Sequence, residues 1–186
     1  MSEKLDEAIR FATASHSGQI RKLANTPYIM HPLEVAAIVS TMTDEEDVMI
    51  AGLLHDTIED CGADPRVIKE KFGARVSALV QSETEDRLST RPPEETWMQR
   101  KEESLLMLSM TKDRGVKILW LSDKLSNIRS FYREHLKHGD EIWNSLNQKD
   151  PQKHKWYFST VAECVKELSD TAAYAEFTEL IDRLFG

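Results

Sequence analysis

His55-Asp56-Thr57-Ile58-Glu59-Asp60 packs one imidazole and three carboxylates into six residues. An adjacent His and Asp can ligate one metal ion together. One helical turn further on, the Glu59 and Asp60 carboxylates would stand beside that ion, close enough to handle a water molecule. Two isolated residues extend the pattern: His31, ahead of Pro32, and Asp123 in Leu121-Ser122-Asp123-Lys124. Ile118-Leu119-Trp120-Leu121 leads straight into Asp123, so its carboxylate starts from buried backbone. Two histidines and two carboxylates make a mixed nitrogen and oxygen ligand set, suited to a borderline or fairly hard divalent ion such as Mn²⁺ or Fe²⁺.

Each piece has a plainer reading. A His-Asp dipeptide recurs by chance, a histidine before proline is often a turn residue, and Glu59-Asp60 reads equally as a solvated acidic face. The combination is stronger than its parts. Leu53, Leu54 and Ile58 surround the motif, and four buried polar groups are costly unless paired. A metal ion removes that cost by neutralising the carboxylates and taking up the imidazole lone pairs. His16, His135, His138 and His154 lack comparable companions and read as surface or supporting residues.

The elements that must position these groups are helical nearly throughout. Leu5, Ala8, Ile9 and Ala12 recur at helical spacing, with Gly18 as a C-terminal stop. Pro32 sits in the first turn of a helix carrying Leu33, Val35, Ala36, Ile38 and Val39. Thr43-Asp44-Glu45-Glu46 reads as a capping box opening a helix through Met49, Ile50, Leu53, Leu54 and Ile58, which puts the His-Asp motif inside that helix. Asp64-Pro65 and Asp150-Pro151 each give a capping Asp before a first-turn proline. A long helix is expected over residues 111–132, where Asp123 and Asn127 share a face, and two more from Asp150 to the end. The polar, proline-broken stretch 84–96 is the longest expected loop. No strand alternation is sustained. The expectation is one all-α domain over residues 1–186, a helical bundle with a metal site in its core cleft. Trp120 reads as core, and packing is also the favoured reading of Trp143 and Trp156.

Composition narrows the partners. At 186 residues, 40% apolar and 30% charged, the chain can bury a core without staples. Two cysteines, Cys61 and Cys164, supply no disulfide framework and read as small buried residues. The net charge of −8 opposes nucleic acid and anionic membranes. No secretory signal or membrane span is evident, so a cytoplasmic location is expected. A small phosphorylated substrate is still compatible, because a bound cation and local bases such as Arg21-Lys22, Arg100-Lys101 and Lys153 with Lys155 can dominate a cleft.

Gly18-Gln19-Ile20-Arg21-Lys22, Thr26-Pro27-Tyr28-Ile29-Met30-His31-Pro32, Ala51 to Asp60, Phe72-Gly73 and Leu121 to Arg129 together resemble the hydrolase domain of RelA/SpoT-homologue proteins. The match runs from about Leu5 to Phe131, with a weaker echo at Tyr157 and Val165 to Leu168. The resemblance implies an HD-type fold and a small alarmone hydrolase that removes the 3′-pyrophosphate of guanosine tetra- and pentaphosphate, usually with Mn²⁺. It implies His31, His55, Asp56 and Asp123 as metal ligands, with Glu59 and Asp60 handling the water. Arg21, Lys22, Asn127 and Tyr157 match nucleotide-contacting positions, and Lys101 is the base expected beside the leaving pyrophosphate. Two segments differ from the bifunctional members: Leu23-Ala24-Asn25 replaces a Ser-Gly turn, and residues 81–91 depart from their Val-Thr stretch. Three alternatives stay open: an HD-type enzyme for a nucleoside monophosphate or the 2′-phosphate of NADPH, a non-catalytic alarmone sensor, and a helical interaction module.

Overall fold

The longest stretch of apolar periodicity becomes the longest helix. In this computed structural model, which describes residues 2–84 and 92–186, Arg114–His138 forms the axis around which the other elements pack. In chain order the α-helices are α1 (Glu3–Ser15), α2 (Met30–Val39), α3 (Glu46–Leu54), α4 (Thr57–Cys61), α5 (Pro65–Phe72), α6 (Ala74–Glu83), α7 (Pro93–Met110), α8 (Arg114–His138), α9 (Pro151–Cys164) and α10 (Ala172–Phe185). Short 3₁₀ segments at Gly139–Ser145 and Lys166–Leu168 join the last three. An isolated bridge between Ile20 and Pro27 is the one β-type pairing among the described residues. None of the described helices is long and apolar enough to cross a membrane.

Helices α2, α3, α6 and α8 pack on one another, α1 covers α3, and α9 and α10 close the far side of α8. Val35, Val39, Ile50, Leu54, Val76, Leu79, Leu119, Leu121, Leu125 and Ile128 form the centre of the core, all fully buried. The six residues from Leu121 to Ser126 are buried in succession. A helix is enclosed on all sides only where neighbours cover its whole circumference. Asp123, Lys124 and Ser126 lie in that enclosed turn, so each needs a polar partner. A second cluster stacks Trp143 on His154 and Phe185, with the edges of Phe131 and Phe158 against it, and ties the C-terminal helices to α8.

Several sequence expectations hold. Asp64 and Asp150 accept from the amides of Arg66 and Gln152, each ahead of a first-turn proline. Trp120 and Trp143 are buried, whereas Trp156 is more than a third exposed. Others are corrected. Thr43 does not cap α3: its hydroxyl accepts from the Glu45 amide in the preceding turn, and Glu45 takes the cap position without a side-chain bond. The His-Asp motif does not lie inside one helix. Helix α3 ends at Leu54 and α4 begins at Thr57, because the Thr57 hydroxyl donates to the Leu54 carbonyl at 2.7 Å and competes for the helical acceptor. Helix α8 starts three residues later than expected, at the Asp113 cap, and runs six further. Pro93 to Thr96 belong to α7 rather than to a loop; the rest of that expected loop, residues 85–91, lies outside the described residues. Both cysteines are only partly buried.

The start of α8 rests on Asp113. Its Oδ1 accepts from the Gly115 amide at 2.9 Å and from Arg75 Nη2 at 2.9 Å, while Arg75 Nη1 donates to Oδ2. The hydrogen bonds from Arg75 hold this carboxyl below its ordinary range. Such a group stabilises the fold fully above its unfolded pKa of about 4, and that contribution fades as pH falls through the lower native value. Asp113→Ala is expected to cost about 1–2 kcal/mol in urea unfolding at pH 7, most of it from the lost cap. The difference from wild type should narrow as the pH falls below about 4.

Candidate metal centre

Two hydrogen bonds decide which nitrogen of each histidine faces inward. Ser126 Oγ lies 2.8 Å from Glu34 Oε2, and a carboxylate only accepts, so the serine donates there. The bond between Ser126 Oγ and His31 Nδ1 at 2.9 Å is therefore donated by the ring. His55 Nδ1 likewise donates to the Gly52 carbonyl at 2.9 Å. Both rings thus carry a proton on Nδ1 and turn Nε2 to the same point, 3.3 Å apart. Two neutral rings of that tautomer repel there. A cation between them removes the repulsion.

The carboxylates converge on the same point. Asp123 Oδ1 is 3.0 Å from His31 Nε2 and 3.6 Å from His55 Nε2; Asp56 Oδ2 is 3.1 Å from His55 Nε2 and 3.5 Å from His31 Nε2. The facing atoms of His31, His55 and Asp123 all lie within 4.8 Å of one another. Such spacings are those of atoms each held about 2.0–2.2 Å from a common ion. Burial opposes charge on both rings and lowers His31. At His55 the Asp56 and Asp123 carboxylates outweigh burial and raise it well above the ordinary value. Burial would also raise both carboxyls, but His55 beside Asp56 and Lys124 beside Asp123 keep them low, so both are anionic. A divalent ion supplies the positive charge that a proton on His55 would otherwise supply, and the donor set of two imidazoles and two carboxylates fits it.

Glu59 and Asp60 follow in the short helix α4. Asp60 turns towards Asp56, and the Tyr28 hydroxyl bridges them, 2.7 Å from Asp56 Oδ2 and 2.9 Å from Asp60 Oδ2. Burial and these two carboxylates push the phenol far up, so it stays protonated and shares its one proton between them. Glu59 faces the other way, into a cavity of about 300 Å³ that Lys22, Arg100, Lys101, Lys124, Asn127 and Tyr157 also line. A neighbouring cavity of about 440 Å³ opens on Arg21, Lys22, Tyr28 and Asp60, and shares Lys22, Phe131 and Leu146 with the first. Every residue expected from the sequence to contact a nucleotide therefore borders this cleft. Arg21 Nη2 donates to Asn127 Oδ1 at 2.8 Å, and Asn127 Nδ2 donates to Asp123 Oδ1 at 2.7 Å, which ties both residues to the metal centre. Lys101 Nζ sits 4.9 Å from the centre of the Tyr157 ring. Lys155 is directed elsewhere, to the carbonyl of Phe185.

A family model described as an HD domain matches residues 8–152, a span that contains all six of the His, Asp and Glu residues above. The chain belongs to the HD-domain family. Among its HD relatives, the guanosine-3′,5′-bis(diphosphate) 3′-pyrophosphohydrolase of Aquifex aeolicus is 37% identical over 131 residues, covering 70% of this chain and 18% of that protein. The enzyme of the same name from Haemophilus influenzae is 34% identical over 120 residues, 64% of this chain and 17% of its own length. A GTP pyrophosphokinase of Streptomyces coelicolor is 29% identical over 183 residues, 97% of this chain and 21% of the relative. The chain thus spans about a fifth of the length of these relatives. In solved structures, a metazoan orthologue of SpoT, described as hydrolysing ppGpp, is similar with a TM-score of 0.78 at 25% identity, covering 98% of this chain and 96% of that one. A Listeria monocytogenes protein gives 0.72 at 27% identity, over 83% and 98%.

Four residues of this HD site carry no signal in the sequence strong enough to single them out. Tyr28 and Ser126 are described above. Lys124 is buried beside Asp123, donates to its Oδ2, and stands 4.5 Å from the Trp120 ring centre. Glu83 reaches Lys124 from α6 at 3.4 Å, and burial pushes its carboxyl up to about 8 despite that partner. Lys124 thereby covers the outer oxygen of Asp123 and leaves Oδ1 for the centre. His16 and His154, expected at the surface or in support, are both buried. His16 stacks on Tyr28, and His154 Nε2 donates to the Gln148 carbonyl at 2.8 Å while the ring packs on Trp97 and Trp143.

The spacing of His31 and His55 depends on how closely α2 and α3 cross. They touch at Gly52, where a Cβ would meet the Cα of Ala36 at 3.1 Å and its nitrogen at 3.3 Å. Both are backbone atoms and cannot rotate away. Gly52→Ala is expected to cost about 1–3 kcal/mol through overpacking. It should also weaken Mn²⁺ binding about tenfold by parting the two rings, in the range seen for disturbed supporting groups. Thermal melting with a calorimetric Mn²⁺ titration checks both, and unchanged metal affinity would remove the crossing from the design of the site.

Proposed function

We propose that the chain is a metal-dependent phosphohydrolase that removes the 3′-pyrophosphate of guanosine 3′,5′-bis(diphosphate), and of its pentaphosphate analogue, as GDP or GTP plus pyrophosphate. The observation that carries this reading is the convergence of two imidazoles and two anionic carboxylates next to a cavity lined by Lys22, Glu59, Arg100 and Lys101, whose wall residues Lys124 and Asn127 bond to Asp123. Mn²⁺ is the ion we assign, from the mixed nitrogen and oxygen donors of His31, His55, Asp56 and Asp123. When bound, such an ion supplies Lewis acidity to a phosphoryl oxygen and makes a neighbouring water more acidic.

The chain's own residues supply the rest. Glu59 projects into the cavity as the general base that takes the proton of the attacking water. Asp60, held against Asp56 by Tyr28, orients that water from the opposite side. The new bond joins the water oxygen to the phosphorus attached to O3′, and the bond from that phosphorus to O3′ breaks. O3′ leaves with the ribose and gains a proton, and pyrophosphate is released. Lys22 and Lys101, with Arg100, offset the negative charge of the pyrophosphate that is released. Arg21 and Asn127, tethered to Asp123, hold the nucleoside in register with the centre, and Tyr157 forms the far wall. The relatives named for this reaction and the structural neighbour described as hydrolysing ppGpp support the choice of substrate.

Incubation with guanosine 3′,5′-bis(diphosphate) and Mn²⁺ is expected to yield GDP and pyrophosphate in equal amounts, and chelator should stop it. Release of orthophosphate from another nucleotide, with this substrate left intact by metallated protein, would overturn the substrate and keep the HD chemistry. Glu59→Gln should lower kcat about 10²–10⁴-fold, the range of a lost general base, with Mn²⁺ and nucleotide affinity retained. Turnover that survives this change largely intact would remove Glu59 from the role.

A further inference from the structure

The bond that fixes the His31 tautomer is the inner end of a longer chain. Ser126 Oγ accepts from His31 Nδ1 and donates to Glu34 Oε2 at 2.8 Å. The other oxygen of Glu34 accepts from Arg129 Nη1 at 3.1 Å. Arg129 in turn is gripped by both oxygens of Glu176, from Nε at 2.6 Å and from Nη2 at 2.6 Å. His31 and Glu34 are three apart on α2, and Ser126 and Arg129 are three apart on α8, so each pair shares a helix face. Glu176 lies on α10, beyond the span 8–152 matched by the HD family model.

We propose that α10 is a working part of the metal centre: Glu176, acting through Arg129, Glu34 and Ser126, is a positioning residue for His31. A half-exposed Arg–Glu pair is ordinarily worth little to stability. This pair differs in what hangs from it. The guanidinium fork has one planar orientation that satisfies both Glu176 oxygens, and that orientation aims the remaining Nη1 at Glu34. With one Glu34 oxygen taken by Arg129, the other accepts from Ser126. Ser126, its hydroxyl proton committed to Glu34, then accepts only from His31 Nδ1. The ring can therefore neither flip nor shift its proton to Nε2, and it keeps the lone pair on the centre. Supporting partners of a ligating histidine act in this way, orienting the ring and raising its basicity.

This inference rests on the metal-centre reading above, and its test reads metal binding rather than turnover. Mn²⁺ titration of the full chain, followed by the electron paramagnetic resonance of free Mn²⁺, is compared for wild type, Glu176→Gln, Ser126→Ala and the double variant. Circular dichroism melting monitors the fold, and Arg129→Lys, which keeps the charge and loses the fork, is the second probe should Glu176→Gln loosen α10. Ser126→Ala is expected to weaken Mn²⁺ about 10–100-fold, the usual cost of losing such a partner. Glu176→Gln should weaken it by a smaller factor, about 3–10-fold, and add nothing once Ser126 is gone, as members of one network do. Unchanged affinity in folded Glu176→Gln and Arg129→Lys would overturn the proposal. So would a Glu176→Gln effect of full size in the Ser126→Ala background, which would show that α10 acts by packing. Folded wild type that takes up no Mn²⁺ would overturn the metal centre itself, and this inference with it.

Discussion

Everything in this molecule is arranged around a repulsion. Two imidazoles and two carboxylates point at one place inside an apolar core, and the chain offsets them only in part, through Lys124 and Asn127 on Asp123, Tyr28 on Asp56 and a proton on His55. Burial raises the stakes, because water is absent to spread the charge. The same arrangement that is unfavourable without a cation gives a divalent ion a ready set of donors, their directions fixed beforehand by Ser126, Gly52, Lys124 and Tyr28. Binding energy is thus concentrated in the ion rather than in reorganising the ligands.

The fold follows from the need to bring residues 31, 55, 56 and 123 together on rigid elements. Helix α8 runs through the middle, buried without a break from Ile118 to Ser126, so Asp123 is held without freedom to drift. Helices α2 and α3 cross against each other at a glycine and set the two histidines facing. The cavity bases arrive on other elements, Lys22 on the turn before α2 and Arg100 and Lys101 on α7, which surround the centre without supporting it. Net negative charge over the surface and local positive charge in the cleft are compatible because the two act at different distances.

What could be read from the sequence is what depends on residue type and short spacing. The shared face of Asp123 and Asn127 and the Asp-Pro starts of α5 and α9 are local facts, and the structure places them as expected. The break at His55 was not readable, since it turns on one threonine hydroxyl choosing a carbonyl three residues back. The Thr43 cap failed for a related reason: a capping pattern says where a side chain is able to bond, and neighbouring backbone decides whether it does. Tyr28 with Asp60, Glu83 with Lys124 and Glu176 with Arg129 are separated by 32, 41 and 47 residues. Pairs of that range leave no periodic trace, and only the assembled helices bring them together.

The interruption between α3 and α4 leaves the Glu59 and Asp60 carboxylates on a helix that cannot stand alone. A helix of five residues has no standing of its own in water, since it is shorter than the length at which propagation repays nucleation. Helix α4 is held at its start by the Asp60 amide donating to the Asp56 carbonyl at 2.8 Å, near its end by Tyr28 gripping Asp60, and at its close by the left-handed Gly62. Two of those three anchors involve Asp56, one through its carbonyl and one through Tyr28. Glu59 and Asp60 therefore borrow their precision from Asp56, and whatever orders the Asp56 carboxylate orders α4 in the same cooperative step.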